Sequence, residues 1–263
     1  MPPDFSRSGL QSATRSTPGN DASPSPAGRE RRIARPLYCR SVLEERLRKV
    51  PWRARYLTGA QLASEMRLMS VKATHLHCHV EIARPVRLGP GFSLYIPDKG
   101  SFVVGTGVDF RRNFRCEIEG DGRVEIGAGT VFTSDTLIQC STLISIGERC
   151  AFGQSSLIAD GYHRYQKHDL HWAEQGYDFR PIRIGDGAGI SDKCTIQADV
   201  GERAMVASGS VVNRPVPPYC LAVGAPARVV RYFGPPELRS EVLSGGRRRR
   251  RDRLGLGTVE QAR

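Results

Sequence analysis

No part of the 263-residue chain approaches the roughly 18–20 uninterrupted apolar residues that a membrane helix requires, so a membrane span is not expected. The first thirty residues have no apolar core of the kind a secretory leader carries, and the reading is a cytoplasmic protein. No CxxC pair occurs among Cys39, Cys78, Cys116, Cys140, Cys150, Cys194 and Cys220, an odd set spread along the chain. A zinc knuckle or dithiol redox site therefore has no support, and the cysteines read as reduced, partly buried small side chains. Apolar residues make up 39% without glycine, and the 28 glycines lift that to an ordinary total. Collagen, a low-complexity polymer and a wholly disordered chain are excluded. The length leaves ample room for a core in one large domain or two small ones.

Charge is in excess, at a formal +12. It is concentrated at the ends: seven arginines face three acids over residues 1–40, and seven face two over 244–263. These segments contribute +4 and +5, which leaves +3 for the body between them. The arginine run 247–251 has no interleaved aromatics, so it suits attraction to anionic surfaces and not specific nucleic-acid recognition.

Residues 1–40 are rich in Pro, Ser, Arg and Gly and are read as a disordered basic tail. Residues 41–83 form a partly helical cap. Val42, Leu43, Leu47, Val50, Leu57, Leu62 and Met66 are only partly periodic, and Pro51 divides them into two short helices or a helix and a turn. Residues 234–263 read as a flexible basic tail. His75, His77 and His79 alternate as they would along one face of a strand, but with no carboxylate placed beside them they do not make a metal site.

The body, 84–233, has a different texture. Ile126, Phe132, Ile138 and Ile144 fall six apart; after a two-residue slip so do Ile146, Phe152 and Ile158. Ile184, Ile190 and Ile196 repeat the spacing, as do Val200, Val206 and Val212. Gly or another small residue often follows the aliphatic, and a small or β-branched residue, such as Thr130, Cys150, Ser156 or Cys194, often sits four after it. Six is neither a helical nor a simple strand period. It suits a short strand and a tight turn, three of which close a triangular coil of eighteen residues, with the aliphatic inside and the coils stacked backbone to backbone. Between Ile158 and Ile184 the beat stops for a loop, 160–181, carrying His163, His168 and His171. A loop that interrupts a repeat in this way points to function.

These hexads resemble the hexapeptide-repeat acyltransferases, most of all the galactoside and maltose O-acetyltransferases. IRIGDGAGISDKCTI looks like that family's coil, and VASGSVVNRPVPPYCLAVGAPARVVR like its final coil and exit. The resemblance implies a mainly β fold, a left-handed parallel β-helix with a small helical N-terminal cap and disordered ends. It implies an enzyme that moves an acyl group, acetyl above all, from acetyl-CoA to a hydroxyl of a sugar-like acceptor, with no metal. It further implies a homotrimer with active sites between neighbouring prisms.

Counting along the repeat, the family's general base falls on His163, with Asp160 as a candidate to orient it. The chemistry suits the residue type: an imidazole can take the hydroxyl proton during attack on a thioester, worth about 10²–10⁴-fold. The oxyanion would be met by a backbone N–H near Ser191–Asp192. On the donor side the resemblance implies Ser208 along the pantetheine groove and Asn213, Arg214, Arg228 and Arg231 toward the phosphates, which guanidinium forks match. Two departures stand out. IQADVGERA is about two residues shorter than the usual side, and Gly189 stands where relatives often carry Trp.

Two other readings stand beside this one. A γ-class carbonic anhydrase shares the prism, and His163 and His168 are five apart like two of its ligands. The position of its third histidine is Gly127 here, however. A non-catalytic solenoid used as a binding platform is the other.

Overall fold

The computed structural model describes residues 50–244, with side chains from residue 59. The tail read at 1–40, the helical residues read at 41–49 and the arginine run lie outside that range. The chain divides after Val50 into two units, and the second, from Pro51 onward, holds all the strands of the described residues.

Three parallel sheets form the faces of a triangular prism. Face A holds β1 (His79–Ile82), β4 (Ser101–Val104), β7 (Arg123–Ile126), β10 (Leu143–Ile146) and β15 (Ile182–Ile184), continued by single-residue bridges at Val200 and Val216. Face B holds β2 (Arg87–Leu88), β5 (Asp109–Arg112), β8 (Val131–Ser134), β11 (Ala151–Phe152), β16 (Gly189–Ile190), β18 (Met205–Val206) and β20 (Cys220–Val223), closed by the antiparallel β21 (Arg228–Tyr232). Face C holds β3 (Ser93–Tyr95), β6 (Arg115–Ile118), β9 (Leu137–Cys140), β12 (Leu157–Ala159), β17 (Thr195–Ile196) and β19 (Val211–Val212). The hexad aliphatics point inward and are buried. The first strand of the prism, β1, begins at His79, five residues before the body read from the sequence.

The coil of eighteen residues expected from the hexads is not what closes the prism. Ser101 pairs with Arg123, 22 residues on, and Arg123 with Leu143, 20 on. Ile184 bridges Val200 and Val200 bridges Val216, each 16 on. The prism tapers, because early coils place two inward residues on face A (Val124 with Ile126, Ile144 with Ile146) and the last coils cross it with one. The slip at Ile144/Ile146 and the short IQADVGERA side are this taper seen in sequence. The core narrows in step beyond Leu88 of the first coil: from β5 onward the inward partners along face B run Phe110, Phe132, Phe152, Ile190, Val206 and Ala222. Side-chain volume falls as the perimeter shrinks, as close packing demands.

The glycine after the aliphatic has a steric cause. A Cβ on Gly127 would lie 2.5 Å from the Glu148 nitrogen, and one on Gly185 2.5 Å from that of Glu202. At these corners one coil lies directly on the next, and there is room only for hydrogen.

Helix α1 (Val50–Thr74) covers the wide end as one continuous helix. Pro51 stands in its first turn, where no intrahelical partner awaits its missing N–H, and the residues read as lying before the division at Pro51 are outside the described range. The inward face is Ser64, Leu68 and Val71, while Leu62 and Met66 are exposed. Ser64 Oγ accepts the Leu88 N–H (2.8 Å) and Arg67 Nη1 donates to the Leu88 carbonyl (2.9 Å), so the helix satisfies backbone groups of the first coil. The alternating histidines belong to the same cap. His75 Nε2 and His77 Nε2 meet the carbonyls of Leu94 and Ile96 at 3.1 and 2.7 Å from the turn after α1, so the three histidines do not share a strand face. At the narrow end, residues 234–244 are not a loose tail. Pro236–Leu238 forms a 3₁₀ turn, 239–244 are helical, and Val242 and Leu243 pack against the core.

Cys116, Cys140, Cys150, Cys194 and Cys220 are buried free thiols. Burial pushes all five up from the usual thiol range, Cys140 to about 12 with help from the nearby Asp160 charge. Raised values keep these thiols neutral in the folded state while unfolded ones ionise above about pH 8.5. Their contribution to stability is therefore intact below that pH and declines as pH rises above it. Alkylation of native protein at pH 8, read by peptide mass spectrometry, is expected to spare these five, and denaturant to expose them all. Labelling of Cys140 in the native state would contradict its place in the core.

Candidate active site

The interruption in the repeat is an antiparallel arm. β13 (Gly161–His163) pairs with β14 (Tyr177–Phe179), setting Gly161 opposite Phe179, Tyr162 opposite Asp178 and His163 opposite Tyr177. The Arg180 N–H closes the base on the Asp160 carbonyl (2.7 Å). Alternation along the strands gives the arm two faces. One carries Gly161, His163, Tyr177 and Phe179. The other pairs Arg164 with Asp178 (2.7 Å) and lays Arg180 beside the Tyr162 ring. The connecting segment is held by Gln175, whose side chain accepts the Lys167 N–H and donates to the carbonyls of Lys167 and Leu170.

His163 is half-buried. Its ring lies 4.1 Å from that of Tyr177 and 4.6 Å from that of Trp172, the latter edge-on at 83°. Its Nδ1 is buried and has no hydrogen-bond partner among the described residues. His168 is exposed, and the exposed His171 accepts the Ala173 N–H (3.3 Å) to cap the 3₁₀ helix Trp172–Glu174.

Asp160 does not orient His163. Its carboxylate, 4% exposed, accepts the Ser141 and Thr142 N–H groups (2.9 and 2.7 Å) and the Thr142 hydroxyl (2.8 Å). A buried carboxylate needs such donors, and the corner of the preceding coil supplies them, so Asp160 ties two coils together at the root of the arm. Of the two N–H groups at Ser191–Asp192, where one oxyanion donor is expected, that of Ser191 is committed to the Val206 carbonyl (2.9 Å), leaving that of Asp192. The Asp192 carboxylate accepts the Gln154 N–H (2.7 Å).

The candidate residues divide between two edges of the prism. Asp160, with the arm, and Arg214 stand on the C–A edge two coils apart, through the register Ile158–Ile196–Val212, with Asn213 beside Arg214. Asp192 and Ser208 stand on the B–C edge, where Gly209 N–H meets the Asp192 carbonyl (2.9 Å). The turn before Arg228 joins this second edge: Gly224 N–H reaches Ser210 Oγ (3.1 Å) and Ala227 N–H the Val211 carbonyl (2.8 Å). Arg228 and Arg231 lie on β21; these two arginines, with Ser208, Asn213 and Arg214, are exposed. Within one chain the donor-side residues of the B–C edge and the histidine arm are not on the same edge. Gly189, buried, is covered by Met205 of the next coil, which occupies the space a side chain there would need. Among the described residues no three metal-ligating side chains cluster, and no helix is long and apolar enough to cross a membrane.

Sequence reasoning missed Tyr177, Trp172 and Gln175 as parts of the site. The alternation Gly-Tyr-His and Tyr-Asp-Phe at the two ends of the insert was the available signal for a hairpin, and it places Tyr177 against His163.

No family model matches the chain. Among curated proteins it is 28% identical over 158 residues to a probable acetyltransferase of Mycobacterium tuberculosis, covering 58% of this chain and 52% of that one. It is 35% identical over 66 residues to the galactoside O-acetyltransferase of Escherichia coli, covering 24% of this chain and 32% of that one. The chain thus spans about half the length of the first relative and a third of the second. A mutant of the N-acyltransferase AntD from Bacillus cereus, solved with dTDP and coenzyme A, superposes with a TM-score of 0.51 at 16% identity over 67% of this chain and 95% of that one. That likeness shows the fold, the left-handed parallel β-helix. The resemblance read from the hexads is met at the level of sequence too, since both curated relatives carry the name acetyltransferase.

Proposed function

We propose that this chain is a coenzyme A-dependent acyltransferase, carrying acetyl from acetyl-CoA to a hydroxyl of a sugar-like acceptor, with His163 as general base. The observation that carries the reading is the break in the prism that sets one imidazole out on an arm, on a scaffold whose sequence relatives are named acetyltransferases. Imidazole takes the proton from the acceptor hydroxyl as its oxygen attacks the thioester carbonyl. The C–O bond forms, the oxyanion is met by a backbone N–H such as that of Asp192, and the C–S bond breaks. The proton passes from the imidazolium to the departing thiolate, so no acyl-enzyme is needed. Asn213, Arg214, Arg228 and Arg231 are the cations and polar groups for the donor phosphates, and Ser208 lines the pantetheine groove. A cytoplasmic setting belongs to the same reading, in keeping with six thiols left unpaired among the described residues.

The separation of Asp192, Ser208 and Arg228 from the arm supports a homotrimer, in which the arm of one prism faces the B–C edge of its neighbour. Release of free thiol from acetyl-CoA across a panel of hydroxylated sugars tests the activity directly. Subunit mixing tests the assembly: inactive His163→Ala and inactive Ser208→Trp chains, refolded together, are expected to regain a fraction of the activity because some sites receive both intact halves. No regain from chains shown to co-assemble would place both halves in one chain and overturn the shared site.

A further inference from the structure

A general base on a projecting arm needs something to hold its ring, and the usual device is a carboxylate on the far nitrogen. His163 has none. Asp160 is consumed by Ser141 and Thr142, and Asp178 lies on the opposite face of the arm, paired with Arg164. Glu174 is exposed in the 3₁₀ helix. What does touch the imidazole is aromatic: Tyr177 through cross-strand pairing, and Trp172 edge-on from the connecting segment.

We propose that Trp172 and Tyr177 are positioning residues for His163, clamping its imidazole with Nδ1 sealed and Nε2 left on the open side to accept the proton; this rests on His163 being the base. The clamp is backed on both sides. Tyr177 stacks on Phe179 (5.5 Å, 11°), and Phe179 lies so close over Gly161 that a Cβ there would come within 2.6 Å of its ring. Trp172 is fixed from the other side, because His171 caps its short helix and Gln175 ties the segment through Lys167 and Leu170. Two rings inclined at 38° and 83° to the imidazole flank it on two sides and restrict its rotation. The electron-rich face of Tyr177, tilted 38° at 4.1 Å, also favours the imidazolium that forms in mid-reaction, in the manner of a cation over an aromatic ring.

The test uses the full chain with Trp172→Leu, Tyr177→Leu, Trp172→Phe and Tyr177→Phe. Each leucine variant is expected to lower kcat about 10–100-fold with KM for acetyl-CoA unchanged, the scale of a misplaced catalytic group. The phenylalanine variants are expected to recover most of the rate, since ring packing and not a hydroxyl or indole N–H does the holding. In proton NMR, the His163 ring resonances, identified by their loss in His163→Ala, sit in the ring currents of Trp172 and Tyr177 and are expected to move when either ring is removed. Unmoved resonances, unchanged kcat in both leucine variants, or Tyr177→Phe as damaged as Tyr177→Leu would each overturn the clamp. Full activity in His163→Ala would instead overturn the base, while the resonance shifts still judge the clamp on their own.

Discussion

Replacing His163 with alanine is expected to cut kcat by about 10²–10⁴ while leaving the KM for acetyl-CoA and the thermal unfolding midpoint close to those of the unsubstituted protein. The size follows from what the imidazole supplies. A sugar hydroxyl is almost wholly protonated near neutrality, and without a base its oxygen attacks the thioester only in a high-energy state. Donor contacts are assigned to Ser208, Asn213, Arg214, Arg228 and Arg231 and not to this ring, so donor affinity is not expected to depend on it. Stability is also indifferent to it: His163 stands half-buried on the arm, outside the row of buried prism side chains. Thiol release measured with saturating acceptor, after subtraction of uncatalysed hydrolysis, checks the rate, and calorimetry checks the midpoint. A variant within a few-fold of the original rate would remove His163 from the chemistry and favour the solenoid as a binding platform.

Phe132→Ala is expected to cost about 3–5 kcal/mol of folding stability, without any direct effect on donor binding. Phe132 is 1% exposed and stacks between Phe110 (5.3 Å, 5°) and Phe152 (4.7 Å, 14°), with Phe114 edge-on at 4.9 Å. Truncation leaves a ring-sized void that parallel coils, hydrogen-bonded above and below, cannot collapse to fill. Each aromatic pair is worth about 0.5–1.5 kcal/mol beyond its buried area, so several losses coincide. Because each coil leans only on its neighbours, the loss also weakens the coupling between the wide and narrow ends. Chemical denaturation followed by far-ultraviolet dichroism is expected to show a lower midpoint and a broadened transition. Phe132→Leu, which keeps most of the volume, is expected to cost far less. A loss under about 1 kcal/mol for alanine would mean that the stack relaxes and that the taper is not tightly packed.

The prism was legible because its determinants are local. An inward aliphatic every sixth residue, and glycine where Gly127 or Gly185 must let the next coil pass, can be read in one dimension. The coil length was not, even though the slip at Ile144 and the short side at Asp199 were in view. Whether two extra residues form a bulge or lengthen every coil depends on which strands pair, and pairing joins residues 16 to 38 apart. Apolar spacing likewise does not say which stripe of α1 the prism covers, and Leu62 and Met66 stand exposed.

The chemistry divides along the same line. Sequence alone determined that this chain winds into a triangular β-helix, that the winding is broken once by a long insert, and that His163 stands near the start of the break. It could do so because burial and steric exclusion act on each hexad separately. Only the tertiary structure decided that Asp160 serves the coil beneath it, that Trp172 and Tyr177 enclose the imidazole, and that the arm and the Asp192–Ser208 corner occupy different edges of the prism. Those outcomes rest on strand register and on competition for hydrogen bonds between distant residues. A carboxylate goes to whichever donors folding brings within 3 Å, and nothing in its neighbours along the chain announces them.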